Sequence, residues 1–316
     1  INIEADLESQ GPIDVFFHKL ADFLSRAKDG DEQAKSIVSR VKNYIFKHPE
    51  LIVIDPLENV EILTNRYESY KMILDGFRHD DQIFIPNFAY VESSDTSKLM
   101  DDLKNNGIRF PCVCKPLIAH GSSDAHKLMV IFNERGLSDC QPPCVAQNMI
   151  NHSAVLYKLF IVDDYFQIVE RPSIRNFYSK DCDTMKTIFF KSHDVCKKGS
   201  NSKWSVISSE EKALAIKPRH EIFVEIVKRV KKIFNLVLVG VDVVIDNRNG
   251  KYAVIDINAF PGYDGYPDFF KHLIVTVKKQ LKEKKTFKRY PVLKKCLSDD
   301  LDSGFESDEK RKLFRS

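Results

Sequence analysis

Two runs rich in valine and isoleucine lie toward the C-terminal end of the chain, at residues 236–245 and 252–257, on either side of a polar turn. β-Branched runs that flank a short turn predict an antiparallel hairpin. With the turn centred near Asn249, the pairing places Asp242 opposite Asp256.

The two faces of this hairpin differ in character. The two-residue period of a strand puts Asn258 on the face of both aspartates, together with Gly240 and Val244. The other face is apolar and is expected to be continuous core, formed by Val239, Val241, Val243, Ile245, Ala253, Ile255 and Ile257.

The facing carboxylates of Asp242 and Asp256 repel each other and lose hydration unless a cation lies between them. Together with Asn258 they offer hard oxygen ligands, suited to Mg²⁺ that bridges nucleotide phosphates. The alternative is a solvated outer face of the hairpin, where aspartate costs little. Residues 258–265 favour the functional interpretation, because their glycines let the backbone approach a substrate closely.

Two lysines, Lys115 and Lys158, lie inside apolar runs that are predicted to be strands. Either side chain could simply extend to solvent. Beside a hairpin that carries carboxylates, they are typical of clamps for phosphate charge. Residues 119–126 add backbone amides, hydroxyls and two imidazoles, which are the parts of a flexible lid over phosphates, although most links of this composition are only turns.

The remaining pattern mixes strands and helices. A strand, a helix and a strand near the N-terminus predict a small α/β lobe, and strands in close succession farther along predict an antiparallel sheet. The predicted strands outside the hairpin are 13–17, 51–54, 110–115, 127–132, 145–150 and 155–162, and the predicted helices are 36–45 and 221–234.

We therefore predict an α+β fold in four parts. The N-terminal α/β lobe covers 1–76, the central lobe 77–171 and the C-terminal lobe 172–280, and both of the latter contain antiparallel sheets. The charge-rich tail at 281–316 is expected to be disordered. Because an α/β lobe normally has a strand and a helix before this point, we expect the first lobe to be incomplete.

Charge and length narrow the class of partner. The chain of 316 residues has 48 Lys and Arg against 45 Asp and Glu, a net charge of +3; the tail carries +4 and the rest of the chain -1. The remaining body is thus slightly acidic, which argues against a nucleic-acid binder. The apolar run at 236–241 is far shorter than the roughly 20 residues of a membrane helix. We expect a monomer without nucleic-acid or membrane partners.

Seven cysteines form an odd set without a CxxC pair or a preceding signal peptide. This pattern indicates reduced thiols and a cytoplasmic protein, with the nucleus as the alternative compartment. Cys140 and Cys144 could bind zinc with His152, but two prolines separate the cysteines and no fourth ligand follows. Plain packing is the preferred interpretation of these cysteines.

Four segments in order resemble the inositol 1,3,4-trisphosphate 5/6-kinase family, also called inositol tetrakisphosphate 1-kinase. Its members have the ATP-grasp fold, and the resemblance extends from about residue 10 to 279. P-loop, GxGxxG and protein-kinase motifs are absent. The segments are 11–20 (GPIDVFFHKL), 119–122 (AHGS), 141–145 (QPPCV) and 254–263 (VIDINAFPGY).

The resemblance implies that ATP lies between the central and C-terminal lobes. The implied nucleotide-binding residues are Arg66, Lys115, Gln147, Lys158, Ser173 and Ser192, with residues 147–158 around the adenine and ribose. The implied substrate-binding residues are Lys19, His126, Lys158, Asn258 and Gly262, and the implied magnesium ligands are Asp242, Asp256 and Asn258.

The implied reaction is in-line transfer of the γ-phosphoryl group of ATP to a ring hydroxyl of an inositol tris- or tetrakisphosphate. His126 and Lys158 are the implied catalytic residues, and His126 either binds a substrate phosphate or helps to remove the hydroxyl proton. Two features depart from the family pattern: a further substrate lysine would precede Ile1, and Cys196 stands where a serine that contacts the nucleotide is expected.

Two other functions are compatible with the same residues. An ATP-grasp ligase that joins a carboxylate to an amine would share the nucleotide site and differ in its product. A protein that binds nucleotide or inositol phosphate without turnover would show binding and no release of ADP. The intact set of candidate metal ligands argues against the second alternative.

Overall fold

The computed structural model describes residues 1–121, 123–213 and 215–289. The chain divides into two compact units, residues 1–269 and a second unit that starts at Phe270. Within the part of the chain just defined, no helix is both long and apolar enough to cross a lipid bilayer.

The N-terminal part of the first unit is a small α/β arrangement. Strands β1 and β2 pair in parallel, with Val15 opposite Ile52. Helix α2 starts at an aspartate cap, because the Asp31 side chain accepts the amide of Ala34. The elements are β1 (Val15–Phe17), α1 (Ala21–Lys28), α2 (Glu32–Lys47), β2 (Ile52–Ile54), α3 (Leu57–Ile62) and α4 (Arg66–Phe77).

A five-stranded antiparallel sheet follows, with the strand order β10-β6-β5-β7-β4. Helix α5 packs its buried Leu99 and Leu103 into the same apolar cluster as β5 and β7. The elements are β4 (Phe88–Val91), α5 (Thr96–Asn105), β5 (Cys112–Pro116), β6 (Lys127–Ile131), β7 (Cys144–Asn148) and β10 (Ile188–Lys191).

The second five-stranded sheet has the order β3-β12-β11-β8-β9 and is antiparallel except for the parallel pair β3 and β12. Helix α9 buries Phe223, Ile226 and Val230 in the core cluster of this sheet, and it ends at Asn235 in the left-handed conformation. The elements are β3 (Ile83–Phe84), β8 (Val155–Val162), β9 (Tyr165–Pro172), α9 (His220–Phe234), β11 (Leu238–Ile245) and β12 (Tyr252–Ala259).

Three short helices and one longer helix are the other α-helices of the described residues. The short ones are α6 (Ser179–Cys182), α7 (Ser192–Cys196) and α8 (Ser209–Ala213). Helix α10 (Phe269–Arg289) continues through the first part of the predicted disordered tail, so that prediction was wrong for residues 281–289. The other predicted tail residues, 290–316, lie outside the described residues.

The sheets do not follow the predicted boundary between residues 171 and 172. Strands β8 and β9 precede this boundary and yet belong to the second sheet, because β8 pairs with β11. Strand β10 follows the boundary and returns to the first sheet by pairing with β6. Sequential order alone could not reveal this exchange of strands.

The predicted hairpin is confirmed, including the pairing of Asp242 with Asp256. Its predicted core face is partly wrong, because a bulge leaves Ile255 without a partner and pairs Val243 with Val254. Beyond the bulge the alternation is reversed. Val254 therefore joins the main core, whereas Ala253 and Ile255 pack in a separate cluster on the aspartate side.

Candidate active site

Three charged side chains form one row across the second sheet. Lys158 on β8 is directly opposite Asp242 on β11, and Asp242 is directly opposite Asp256 on β12. The Lys158 Nζ lies 2.7 Å from Asp242 Oδ1 and 2.9 Å from Oδ2. The carboxylates are 16% and 18% exposed, so both are accessible while most of their surface is withdrawn from water.

The Asp256 carboxylate is held in its charged form by its neighbours. Burial raises its pKa, but the positive charges of Arg66 and Lys115 lower the pKa by more than burial raises it, so the net shift is downward. Arg66 Nε lies 3.7 Å from Asp256 Oδ1, and the Tyr70 hydroxyl donates a hydrogen bond of 3.3 Å to the same oxygen. This carboxylate is therefore prepared to face a cation.

Lys115 is a buried ammonium group in the first sheet that reaches toward the second. Its Nζ donates to Tyr70 Oη at 2.9 Å, to Gln147 Oε1 at 3.0 Å and to the carbonyl of Ile255 at 2.7 Å. Burial lowers the pKa of Lys115 to about 8, against the opposing influence of Asp256. The group is thus a cation whose charge is costly in the free protein and would be stabilised by an anion.

For Lys158 the balance of forces has the opposite outcome. Burial lowers its pKa, but the charge of Asp242 and the hydrogen bonds to it raise the pKa by more. Lys158 therefore stays protonated at neutral pH, and the site offers two lysines of different character.

Arg66 is almost fully buried, and its guanidinium group organises the loop after β5. It donates to the carbonyls of Pro116 and Ile118 and, through Nη2, to the carbonyl of Ala125. Its Nε faces Asp256 and has no hydrogen-bond partner among the described residues. Arg66 thus ties the segment before His126 to the sheet and adds positive charge to the site.

The rings of His126 and His193 are in contact, with their centroids 4.1 Å apart and their planes tilted by 34°. Burial lowers the pKa of His126, and the charges of His193 and Arg66 lower it further. The segment before it is anchored on α1, since Gly121 N donates to Asp22 Oδ1 at 3.0 Å. The imidazole of His126 is therefore neutral at physiological pH and able to accept a proton.

The segment after β12 folds back over the row of charges. Gly240 makes this possible, because a Cβ atom at this position would lie 2.9 Å from Pro261 Cγ. Phe260 N donates to the Leu238 carbonyl at 2.9 Å, and the ammonium of Lys19 lies 5.3 Å from the centre of the Phe260 ring. Asn258 and Gly262 lie on either side of Phe260 and Pro261 in the sequence. Asn258 is half-buried on β12, two residues after Asp256.

The remaining residues implied for the nucleotide have varied surroundings. Gln147 is buried, and within the described part of the chain its Nε2 has no hydrogen-bond partner, whereas Ser192 is half-buried at the start of α7. Ser173 is buried, and its Oγ lies 2.8 Å from His152 Nε2. Burial raises the pKa of Cys196 to about 11, so its thiol is neutral at physiological pH.

An apolar cluster continues the site face of the second sheet beyond the row. Val244, two residues from Asp242, pairs with Ala253 and packs with Leu156 and Ile150. Cys196 packs against the same cluster. The face therefore combines a charged end with an apolar end.

Sequence reasoning missed Tyr70 and His193. Tyr70 connects Lys115, Asp256 and the Ile255 carbonyl through one hydroxyl. In the sequence it is an ordinary aromatic residue, and no local signal distinguishes it. His193 follows the implied Ser192 directly, but only the folded chain brings it onto His126.

Two family models match this chain. The inositol 1,3,4-trisphosphate 5/6-kinase ATP-grasp domain matches residues 77–278, and the pre-ATP-grasp domain of the same family matches residues 1–60. An inositol-tetrakisphosphate 1-kinase of Xenopus laevis is 40% identical over 278 residues, which is 87% of this chain and 69% of the relative. One of Danio rerio is 40% identical over 276 residues, with the same coverage.

Among solved structures, the macrocyclase MdnC from Microcystis aeruginosa MRC, bound with the precursor peptide MdnA, has a TM-score of 0.47 and 13% identity, covering 78% of this chain and 71% of that chain. The family assignment rests on the two domain matches and on the vertebrate relatives, which agree with one another over most of the sequence. The chain belongs to the inositol 1,3,4-trisphosphate 5/6-kinase family and has its ATP-grasp fold.

Proposed function

We propose that the protein transfers the γ-phosphoryl group of ATP to a ring hydroxyl of an inositol tris- or tetrakisphosphate. The observation that supports this most strongly is the row of Lys158, Asp242 and Asp256. Arg66 faces the Asp256 carboxylate, and the charges of Arg66 and Lys115 both lower its pKa. Such an arrangement of opposite charges suits the phosphates of a nucleotide and a metal ion at the same time.

In the proposed complex the triphosphate of ATP is held by Lys115 and Lys158. Phosphate would compensate the burial of the Lys115 ammonium, which the free protein supports only with dipoles and a distant carboxylate. The adenine would lie toward the apolar cluster of Val244, Leu156 and Ile150. Arg66, Gln147, Ser173 and Ser192 complete the proposed nucleotide set.

The donors present fit Mg²⁺. Asp242 and Asp256 are paired across neighbouring strands, and Asn258 lies on the same face two residues farther along β12. Carboxylate and amide oxygens are the ligands that Mg²⁺ prefers, and the low pKa of Asp256 keeps this ligand charged. When bound, the ion would neutralise charge on the transferred phosphoryl group.

The inositol phosphate is proposed to lie near Lys19, His126, Lys158, Asn258 and Gly262. Lys19 would bind a substrate phosphate from the N-terminal lobe, and the neutral imidazole of His126 would accept the proton of the attacking hydroxyl. The residues act by orientation and charge neutralisation, and the hydroxyl oxygen attacks the γ-phosphorus in line with the departing ADP oxygen.

The direct test is incubation of the full chain with ATP, Mg²⁺ and each member of a panel of inositol tris- and tetrakisphosphates. The proposal expects ADP and an inositol carrying one additional phosphate in equal amounts. ADP formation that requires a carboxylate and an amine, with an amide as the product, would replace the kinase by a ligase. Nucleotide binding without ADP in any reaction would indicate a binding protein.

The sequence-based expectations about context remain predictions. They are a monomer, a cytoplasmic or nuclear compartment, and no nucleic-acid or membrane partner.

A further inference from the structure

A cluster of thiols lies on the face of the first sheet opposite to the active site. Lys115 on β5 and Gln147 on β7 reach the site, and the alternation of a strand turns their neighbours Cys114 and Ala146 to the other face. There Cys114 meets Cys140 and Cys144, and all three are buried.

The spacing of the three sulfur atoms is that of a metal site. They lie within 4.8 Å of one another, and the Sγ atoms of Cys140 and Cys144 are 3.6 Å apart. Four sulfurs at about 2.3 Å from a tetrahedral Zn²⁺ are about 3.8 Å from each other. The thiols therefore need only small side-chain movements to surround an ion.

A fourth thiol, that of Cys112, lies on β5, the strand that carries Cys114. Cys112 precedes Cys114 by two residues and is buried in the same apolar cluster, and its side chain would turn toward the group of three sulfurs to become the fourth ligand. His152, the possible zinc ligand suggested by the sequence, does not take part, because its Nε2 is hydrogen-bonded to Ser173 Oγ.

We propose that Cys114, Cys140 and Cys144, with Cys112 as the fourth ligand, bind Zn²⁺ on the reverse face of the sheet that carries Lys115. On binding, the thiols release their protons to solvent and the sulfurs donate electron pairs to the ion, with no change in oxidation state. The ion fastens β5 and β7 to the segment that holds Cys140, beneath the lysine of the active site. Its role is structural.

The experiment uses the full chain, purified with a reductant, stripped of metal by a chelator and then dialysed against Zn²⁺. The expected result is one Zn²⁺ per chain, and a thiolate-to-metal charge-transfer band when Co²⁺ replaces it. Cys140→Ser and Cys114→Ser should each weaken Zn²⁺ binding about tenfold or more. The matched control is Cys182→Ser, because Cys182 is half-buried outside the cluster and should leave binding unchanged.

Stability gives a second measurement that does not depend on turnover. Zn²⁺ should raise the unfolding temperature of the unsubstituted chain and of Cys182→Ser, and have little effect on Cys140→Ser. The Co²⁺ spectrum of the unsubstituted chain remains decisive if a cysteine variant fails to fold. Less than stoichiometric Zn²⁺ with no thiolate band, or equal loss in Cys182→Ser, would overturn the proposal.

Discussion

At the scale of single residues, the site depends on a buried lysine whose charge is only partly compensated. Among the residues that the structure describes, Lys115 has three oxygen partners, and none of them is a carboxylate. Burial lowers the pKa of Lys115, although the charge of Asp256 acts to raise it. For Asp256, burial raises the pKa, but the positive charges of Arg66 and Lys115 lower it by more. A ligand phosphate changes this balance.

ATP binding should therefore be accompanied by proton uptake. In the free protein Lys115 loses its proton near pH 8, whereas a bound phosphate favours the ammonium form and raises its pKa. Titration calorimetry at a pH between about 8 and 10, in two buffers of different ionisation enthalpy, measures the uptake. Lys115→Arg keeps the charge and removes the titration, so uptake should disappear. Equal uptake in this variant would contradict the assignment.

Removal of the Tyr70 hydroxyl is predicted to lower kcat/KM about tenfold. Tyr70→Phe preserves the packing of the ring but removes one partner of Lys115 and the donor to Asp256, and an unsatisfied buried group costs about 1–3 kcal/mol. The measurement is steady-state kinetics beside chemical denaturation. Tyr90→Phe is the control, because Tyr90 is exposed, and a similar loss there would show that the effect is not specific.

At the scale of elements, the register of β8, β11 and β12 brings the charges together. The two aspartates of the row were predictable from the hairpin, since a period of two and a polar turn fix the pairing of Asp242 with Asp256. The bulge at Ile255 was not, because it is decided by contacts across the sheet and leaves no mark in an apolar run. The position of Lys158 beside Asp242 was not predictable either, because it depends on the pairing of β8 with β11, two segments far apart in sequence.

Gly240→Ala should displace the segment after β12 from its present position. A Cβ atom there would come within 2.9 Å of Pro261 Cγ and 3.1 Å of its Cβ, so the segment with Gly262 must move. We expect a loss of about 1–3 kcal/mol in unfolding free energy, together with weaker substrate binding. Gly262→Ala is the matched comparison for stability, because its Cβ would make an ordinary contact of 3.5 Å with Asp264. Equal stability of the two variants would show that the segment does not pack as described.

At the scale of the whole first unit, one buried aspartate joins the N-terminal lobe to the second sheet. Asp55 follows β2, and its two carboxylate oxygens accept the amides of Val237 at 2.6 Å and Leu238 at 2.9 Å. Sequence patterns identified both strands but not this connection, because it relates residues 182 and 183 positions apart. The ATP-grasp fold itself was accessible only through the family motifs, since strands exchange between the sheets.

The acid dependence of stability should reflect Asp55. Burial raises its pKa to about 6, and the amides of Val237 and Leu238 counteract this only partly. The folded protein thus binds more protons than the unfolded chain between about pH 4 and 6, so the Asp55 contribution to unfolding free energy falls as pH rises through this window, by roughly 3 kcal/mol.

Denaturation of the unsubstituted chain and of Asp55→Asn across this pH range tests the prediction. The amide cannot titrate, and its NH₂ group faces a backbone donor, so the variant should be less stable throughout and lack this pH-dependent component. Asp101→Asn, at an exposed position on α5, should follow the unsubstituted chain. A difference between the chain and Asp55→Asn that is constant with pH would contradict the raised pKa.

Asp256 is the central residue of the proposed reaction, because its carboxylate would serve nucleotide and metal together. The most direct measurement is the rate of inositol phosphate phosphorylation by Asp256→Asn, with ATP and Mg²⁺ at saturating concentrations and Asp101→Asn as the control. We predict a loss of at least about a hundredfold with the fold intact, because the amide cannot supply the negative charge that the reaction needs. Turnover by Asp256→Asn at the rate of the control would contradict the central claim.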